Sequence, residues 1–476
     1  MRQCIRLCGV KRVLRVLLRI TAALAVLLGA ILLLALDGVD NSPYLRAPYY
    51  AETTTQLRAR IATNRLAQGE LSAGFGRVRL TPSVNAPRDD PAQGKFRSLP
   101  LAGFGSRQGK PATGVHDDLF IKAVALRVGE RVGVMVGADA LIIPPDVSEA
   151  AARQLAQELK LSREQLYLSA THTHASLGGW GEGWVAEAFA GGFQSGARVW
   201  FADRIAAAVR ESIGDLKPAA FGHGRFAAAG FVRNRLVGDL GRVDPEFTYA
   251  VLKQQDGRLA VLGSYAAHAT VLSADMMDFS ADYPGCWQQA IEQATGGVAV
   301  FLAGAVGSHS PVPGGKGFAG AQRMGQALAA ALLEQLPRTP LTNRIAFGSL
   351  GLDLALPPLN VRVSDGLRLR PWIARRLLRT RNHSFLQVFR VGDLLWISTP
   401  CDFSGELAMG IKDGLRARGA DAAITSFNGD YVGYVIPARY YHLSGYEPRV
   451  MSFFGPNVPD YFEEVMRTMA LSLWDH

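Results

Sequence analysis

Cysteine is scarce here, with four residues in a chain of 476. That excludes a disulfide scaffold. Cys4 and Cys8 precede an apolar run, and the sequence leaves open whether Cys286 and Cys401 pair. No acidic residue precedes Asp37, although Arg2, Arg6, Lys11, Arg12, Arg15 and Arg19 all lie before it. Charged residues make up only 19% of the chain and hydrophobic ones 48%, a globular composition rather than a disordered one. Zinc-finger spacing and RNA-binding signatures are absent, so the formal net charge of +10 is not a nucleic-acid footprint. There is no internal repeat and no low-complexity stretch.

The N-terminus holds the longest hydrophobic run, residues 20–36, closed by Asp37 and Asp40. Val16-Leu17-Leu18 extends it if Arg19 snorkels, which gives enough length for a membrane-spanning helix. A cleaved signal peptide is the rival reading. No good small-x-small cleavage site follows Leu36, which favours an uncleaved single-pass anchor. The basic flank, residues 1–19, belongs on the cytoplasmic side, and everything after Asp37 outside it. Residues 37–70 read as a linker with a polar helix over 51–68, and residues 71–476 as one large globular domain. Strand-like runs at 123–128, 132–136, 247–252, 298–302, 386–391 and 394–398 alternate with helical ones at 147–159, 197–213, 321–336 and 404–418. The expected fold class is α/β or α+β, with mixed β-sheets covered by helices.

The most pointed pattern is Thr171-His172-Thr173-His174, after the strand-like Leu166-Tyr167-Leu168-Ser169-Ala170 and before a Gly178-Gly179 loop. Strand alternation predicts that His172 and His174 project to one face. Two imidazoles there suit a metal or a general base, or simply two hydrogen-bonded histidines. His268 ends a second strand-like run. The segment Gly307-Ser308-His309-Ser310-Pro311 breaks a third, and such a loop can expose a hydroxyl and backbone N–H groups. Asp402 closes a fourth, in Pro400-Cys401-Asp402-Phe403, where it could equally cap the following helix.

Together these four strand ends resemble the neutral ceramidase family of zinc-dependent amidohydrolases, from Gly74 to about Leu473. The resemblance implies zinc held by His172, His268, Asp402 and Tyr434, with Tyr431 as the first tyrosine of a Tyr-x-x-Tyr pair. It implies Ser310 as the serine assigned as nucleophile and Asn234-Arg235 as the pair that contacts the substrate amide. Arg235 is then placed to stabilise an oxyanion, and His174 to orient a ligand or shuttle a proton. Three departures stand out. Asp402 replaces a Glu, which leaves Glu406 as an alternative ligand one turn further on. Ser308 replaces the loop Asp. The likeness reaches the last residues without the immunoglobulin-like domain that many family members carry. The implied activity is Zn2+-dependent cleavage of the N-acyl bond of ceramide or a related sphingolipid at a membrane. The alternatives are an amidase for another N-acylated lipid and a non-catalytic, membrane-tethered lipid-binding domain.

One segment stands apart. Arg368, Arg370, Arg375, Arg376, Arg379 and Arg381 interleave with Leu367, Leu369, Trp372, Ile373, Leu377 and Leu378. It reads either as a solvated surface helix with an apolar core face or as a membrane-surface contact.

Overall fold

The computed structural model describes residues 2–475, with side chains from Leu14 onward, so Cys4, Cys8 and the first four basic residues of the flank lie outside the described side chains. Helix α1 (Arg2–Ala35) contains the apolar stretch Leu14–Ala35, none of which is buried against the rest of the protein. At 1.5 Å per residue that stretch is about 33 Å long, close to a bilayer's hydrocarbon thickness. Strand β1 (Leu36–Gly38) and helix α2 (Pro48–Thr63) come next. Residues 37–70 therefore do not hang free as a linker. Thr53 and Leu57 of α2 are buried, and Tyr44 and Tyr50 donate hydrogen bonds to Glu464 at 2.7 and 2.5 Å. The tyrosine pair, invisible to a reading based on polarity, ties this segment down.

The body proper runs β2 (Ala67–Arg79), β3 (Gly114–Val115), β4 (Phe120–Val128), β5 (Arg131–Ala138), α3 (Pro145–Leu159), β6 (Leu166–Ala170), α4 (Trp184–Ala190) and α5 (Ser195–Gly214). Then come β7 (Lys217–Ala227), β8 (Val232–Asn234), β9 (Glu246–Gln254), β10 (Leu259–Tyr265), β11 (Asp278–Phe279), α6 (Asp282–Thr295), β12 (Val298–Ala303), β13 (His309–Pro311) and α7 (Gly317–Gln335). The last third holds β14 (Arg344–Ala355), β15 (Leu367–Leu369), α8 (Pro371–Leu378), β16 (His383–Val391), β17 (Leu394–Ser398), β18 (Asp402–Phe403), α9 (Gly405–Arg416), β19 (Asp421–Thr425), β20 (Tyr434–Val435) and α10 (Val458–Trp474).

The long strand β2 joins everything. Its first residues pair with β14, and Leu71 to Arg79 pair with β4. The resulting 12-stranded sheet runs β12-β10-β9-β7-β2-β14-β16-β17-β19, with β4, β5 and β6 branching from β2. Alternation along the strands divides the core. Val124 and Leu126 join Phe389 and Val391 in an inner core between sheet faces, while Ala123 and Ala125 meet α3 and α5 outside. Leu386 and Val388 meet α9 and α10, and Val261 meets α6 and α7. The architecture is thus a mixed sheet folded on itself, with helices on its outer faces.

Parallel pairing sets the site. Strand β10 runs parallel to β12, β17 to β19, and β5 to β6. The carboxyl ends of β6, β12 and β19 are stitched together by Ser426, whose N–H donates to Ala303 at 2.9 Å and whose hydroxyl donates to Gly304 at 2.8 Å. The Ser169 hydroxyl donates to the Ser426 carbonyl at 2.9 Å. Loops leaving these strand ends must share one small volume, the usual ligand position in sheets of this kind.

Candidate metal centre and active site

Strand β6 ends at Ala170, so His172 and His174 lie beyond it, and strand alternation does not place them. His172 instead has φ +63°, a left-handed conformation uncommon outside glycine. Opposite it Phe427, at φ +68°, stacks on the imidazole with ring centroids 4.1 Å apart and planes 8° apart. The turn at His172 brings both rings to one point. The His172 Nε2 lies 2.9 Å from His268 Nε2 and 3.3 Å from His174 Nε2.

The protons on these rings can be placed. His172 Nδ1 faces the Leu141 carbonyl at 2.7 Å, and His268 Nδ1 faces the Val306 carbonyl at 3.3 Å. A carbonyl only accepts, so each Nδ1 carries hydrogen and each Nε2 presents a lone pair. Burial, with the nearby Arg235 charge, keeps the rings neutral. It pushes His172 down to about 3, and His174 and His268 well below the usual imidazole range. Bare lone pairs converging within 2.9 Å repel unless a cation lies among them.

Asp402 supplies the anion. Its Oδ1 is 3.5 Å from His172 Nε2 and 3.9 Å from His268 Nδ1, and this buried oxygen has no hydrogen-bond partner. Its Oδ2 accepts from Tyr431 at 2.8 Å. Burial lifts the Asp402 carboxyl to about 7, against the Tyr431 hydrogen bond and the Arg235 charge, which favour the carboxylate. An unpaired buried carboxylate oxygen beside imidazole lone pairs is a donor set suited to zinc. Within the described residues, His172, His174 and His268 form a cluster whose ligand atoms lie within 4.8 Å of one another.

Strands β18 and β20 pair in parallel with Asp402 opposite Tyr434. The Tyr434 hydroxyl accepts from Arg235 Nη2 at 2.9 Å, and Arg235 Nε lies 2.8 Å from Glu447. Helix α9 is capped by Ser404, which accepts from Glu406 N–H at 3.3 Å, so Asp402 is not needed as its cap. Glu406 faces elsewhere. It pairs with Arg439 and accepts from Asn234 Nδ2 at 3.0 Å. Asn234 Oδ1 accepts from the N–H groups of Leu236 and Val237, at 2.9 and 3.1 Å, so this residue is occupied within the fold. Ser308 accepts from Gly405 N–H at 3.1 Å and meets Ser404 at 2.9 Å, an anchoring position at the start of α9.

Ser310 is not brought to the cluster. It lies half-buried in β13, paired with β8, and its hydroxyl accepts from the exposed Arg233 at 3.1 Å. The cavity beside the histidines, about 290 Å³, is walled by His172, His174, Asp402, Tyr431 and Tyr434, with Ile142, Trp180, Phe189, Met451 and Phe453 among its apolar lining. Ser310 is absent from that wall.

Two contributors escape sequence reading. Arg107 is buried, donates to the His174 carbonyl and to Met276 O at 2.9 Å, and so holds the histidine loop. Glu447 fixes Arg235. Neither sits in a motif, and only burial could have found them.

Residues 91–317 match the family model described as neutral/alkaline non-lysosomal ceramidase, N-terminal. Just under half of the chain is thus similar to the neutral ceramidases. Over 229 residues it is 25% identical to the neutral ceramidase of Mycobacterium tuberculosis (strain ATCC 25618 / H37Rv), covering 44% of this chain and 36% of that one. It thus spans about a third of that relative's length. The crystal structure of the neutral ceramidase from Pseudomonas aeruginosa superposes with a TM-score of 0.70 at 19% identity, over 85% of this chain and 75% of that one. A solved ceramidase complexed with C2 gives a TM-score of 0.71 at 18% identity, with the same coverage of both chains. These likenesses establish the ceramidase fold.

Proposed function

We propose that this protein is a membrane-anchored, zinc-dependent amidase that cleaves the N-acyl bond of ceramide or a related lipid, releasing a fatty acid and a long-chain base. One observation carries the reading: converging imidazole lone pairs beside the unpartnered Asp402 oxygen, at the wall of a largely apolar cavity. The neutral ceramidase relatives support the substrate class. The N-terminal helix supports the anchor, and the cluster of Lys and Arg before its apolar run supports placing the body outside the cytoplasm.

His172, His268 and Asp402 would hold the ion, with His174 completing the imidazole set or moving a proton, and Tyr434 reaching it through its hydroxyl. Zinc bound there would polarise an amide carbonyl and acidify water. Arg235 stays charged between Tyr434 and Glu447 and would stabilise negative charge developing on the carbonyl oxygen. The apolar wall excludes water from the acyl chain. The Ser310 hydroxyl accepts from Arg233, which favours water over this serine as the attacking group.

The test is fatty-acid release from a panel of N-acyl lipids by the purified full-length protein, with metal content measured on the same sample. Stoichiometric zinc with release from ceramide supports the proposal. Release from other N-acyl lipids alone moves the substrate. Absence of zinc and of turnover would leave a lipid-binding domain.

A further inference from the structure

The junction between α1 and the body is tied by hydrogen bonds and strand pairing. Arg370 caps α1: its N–H donates to Ala35 O at 2.9 Å and its guanidinium to Leu33 O at 3.1 Å. Strand β1 continues from α1 without a gap and pairs antiparallel with β15, Leu36 opposite Leu369 and Gly38 opposite Leu367. Val39 N–H donates to Gly366 O at 3.1 Å, and Asp40 and Asn360 exchange hydrogen bonds of 3.0 and 3.2 Å. Three strand residues advance only about 10 Å. The segment after β15 therefore lies close to the C-terminal end of α1.

That segment is α8, whose Ala374 is buried and whose Leu378 packs on the core, while two of its large apolar side chains project outward. Trp372 is 65% exposed and Leu377 49%. Helix α4 packs against α8, with Arg379 lying 3.6 Å from Glu182, and its Trp184 is 74% exposed. Of the seven tryptophans, Trp180, Trp200, Trp287 and Trp396 are buried and Trp474 is half-buried, which leaves Trp184 and Trp372 as the exposed pair. Helix α4 and the C-terminal end of α8 frame the cavity, through Val185, Ala186 and Phe189 on one side and Leu378 with the following Arg379 and Thr380 on the other. Exposed indoles beside arginines suit the interface of an anionic bilayer, where the ring sits at headgroup level and guanidinium groups meet lipid phosphates.

We infer that α4 and α8 form a docking rim that seats the cavity mouth on the anionic phospholipid bilayer into which α1 inserts, so that substrate enters laterally from that bilayer. Trp184, Trp372 and Leu377 enter the interface, and Arg375 and Arg376 bind lipid phosphates. The inference rests on reading α1 as a membrane span and the cavity as the lipid site.

The experiment reads docking separately from chemistry. Full-length protein is reconstituted into phosphatidylcholine/phosphatidylglycerol vesicles whose acyl chains carry bromine near the glycerol end, a contact quencher of indole fluorescence. The wild type is quenched, and W184F/W372F loses most of that quenching. R375E/R376E reduces quenching when phosphatidylglycerol is present and not in phosphatidylcholine alone. Ceramide hydrolysis by W184F/W372F is unchanged in detergent micelles and falls several-fold in vesicles. Equal quenching of wild type and W184F/W372F overturns the inference. A wild type that is quenched but hydrolyses nothing would overturn the proposed reaction and leave the docking rim standing.

Discussion

At the scale of single residues, the site is defined by atoms that lack partners. His172 and His268 each spend Nδ1 on a carbonyl and turn a lone pair inward, and Asp402 Oδ1 has nothing to accept from. His172→Ala, His268→Ala and Asp402→Asn are each expected to lower bound zinc and abolish fatty-acid release, measured as metal per protein and turnover. Glu406→Gln should keep its zinc and instead cost about 1 kcal/mol of stability or less, because its ion pair with the largely exposed Arg439 is lost. The reverse ranking of Asp402 and Glu406 would move the acid ligand one helical turn. Ser310→Ala should retain zinc and lose less activity than His172→Ala, since its hydroxyl faces Arg233. A loss as deep as that of His172→Ala would return Ser310 to the chemistry.

At the scale of elements, close approach decides. Helix α5 crosses β2 at Gly74 and Gly76, where a Cβ would run into the backbone carbonyls of Ser212 and Ala208. Gly74→Ala should therefore lower stability by about 1–3 kcal/mol, read from denaturant midpoints. Wild-type stability in this variant would mean that the helix can slide. The helices α3, α5, α7 and α9 were legible because their apolar spacing repeats locally, and β4, β5, β9, β12, β16 and β17 because their apolar runs lie between turns. The two ends of the site were less so. Nothing local in Thr171-His172-Thr173-His174 announces a left-handed turn, which is held by Phe427 from a distant part of the chain. The arginine-rich segment is not one helix either. Leu367–Leu369 is drawn into a strand by β1, helix α8 spans Pro371–Leu378, and Arg379 ends it at φ +52°. Its apolar residues divide between the core, at Ala374 and Leu378, and the surface, at Trp372 and Leu377, a division that spacing alone does not reveal.

At the scale of the molecule, the proposed ligands come from four separate chain segments, so a metal bound by them would be tied to the whole fold. Ion bound only to the folded state at 100 times its dissociation constant would add about 2.7 kcal/mol. Chelation should therefore lower the melting temperature by several degrees and zinc should restore it; an unchanged melting curve would separate the centre from the fold. A second whole-molecule effect lies away from the site. Burial raises the Asp139 carboxyl to about 6, against the favourable charge of Lys122 and hydrogen bonds from Phe120 N–H and Gln288. The folded state thus keeps this proton longer than the unfolded chain. The contribution is full below about pH 4 and is lost as pH rises to about 6. Asp139→Asn should lose less stability than the wild type across that window, by on the order of 2 kcal/mol. Identical pH dependence in the two proteins would show the carboxylate to be well solvated.

Strand β2 limits how such a protein can be divided. The family-matched region spans 91–317, yet β2 ends at Arg79 and pairs with β4 and β7 on one side of that boundary and with β14 on the other. The matched region is therefore not an autonomous module, since excised alone it would leave β4 with an open edge and its inner core uncovered. Unfolding should be cooperative across the body, with no half that survives the other.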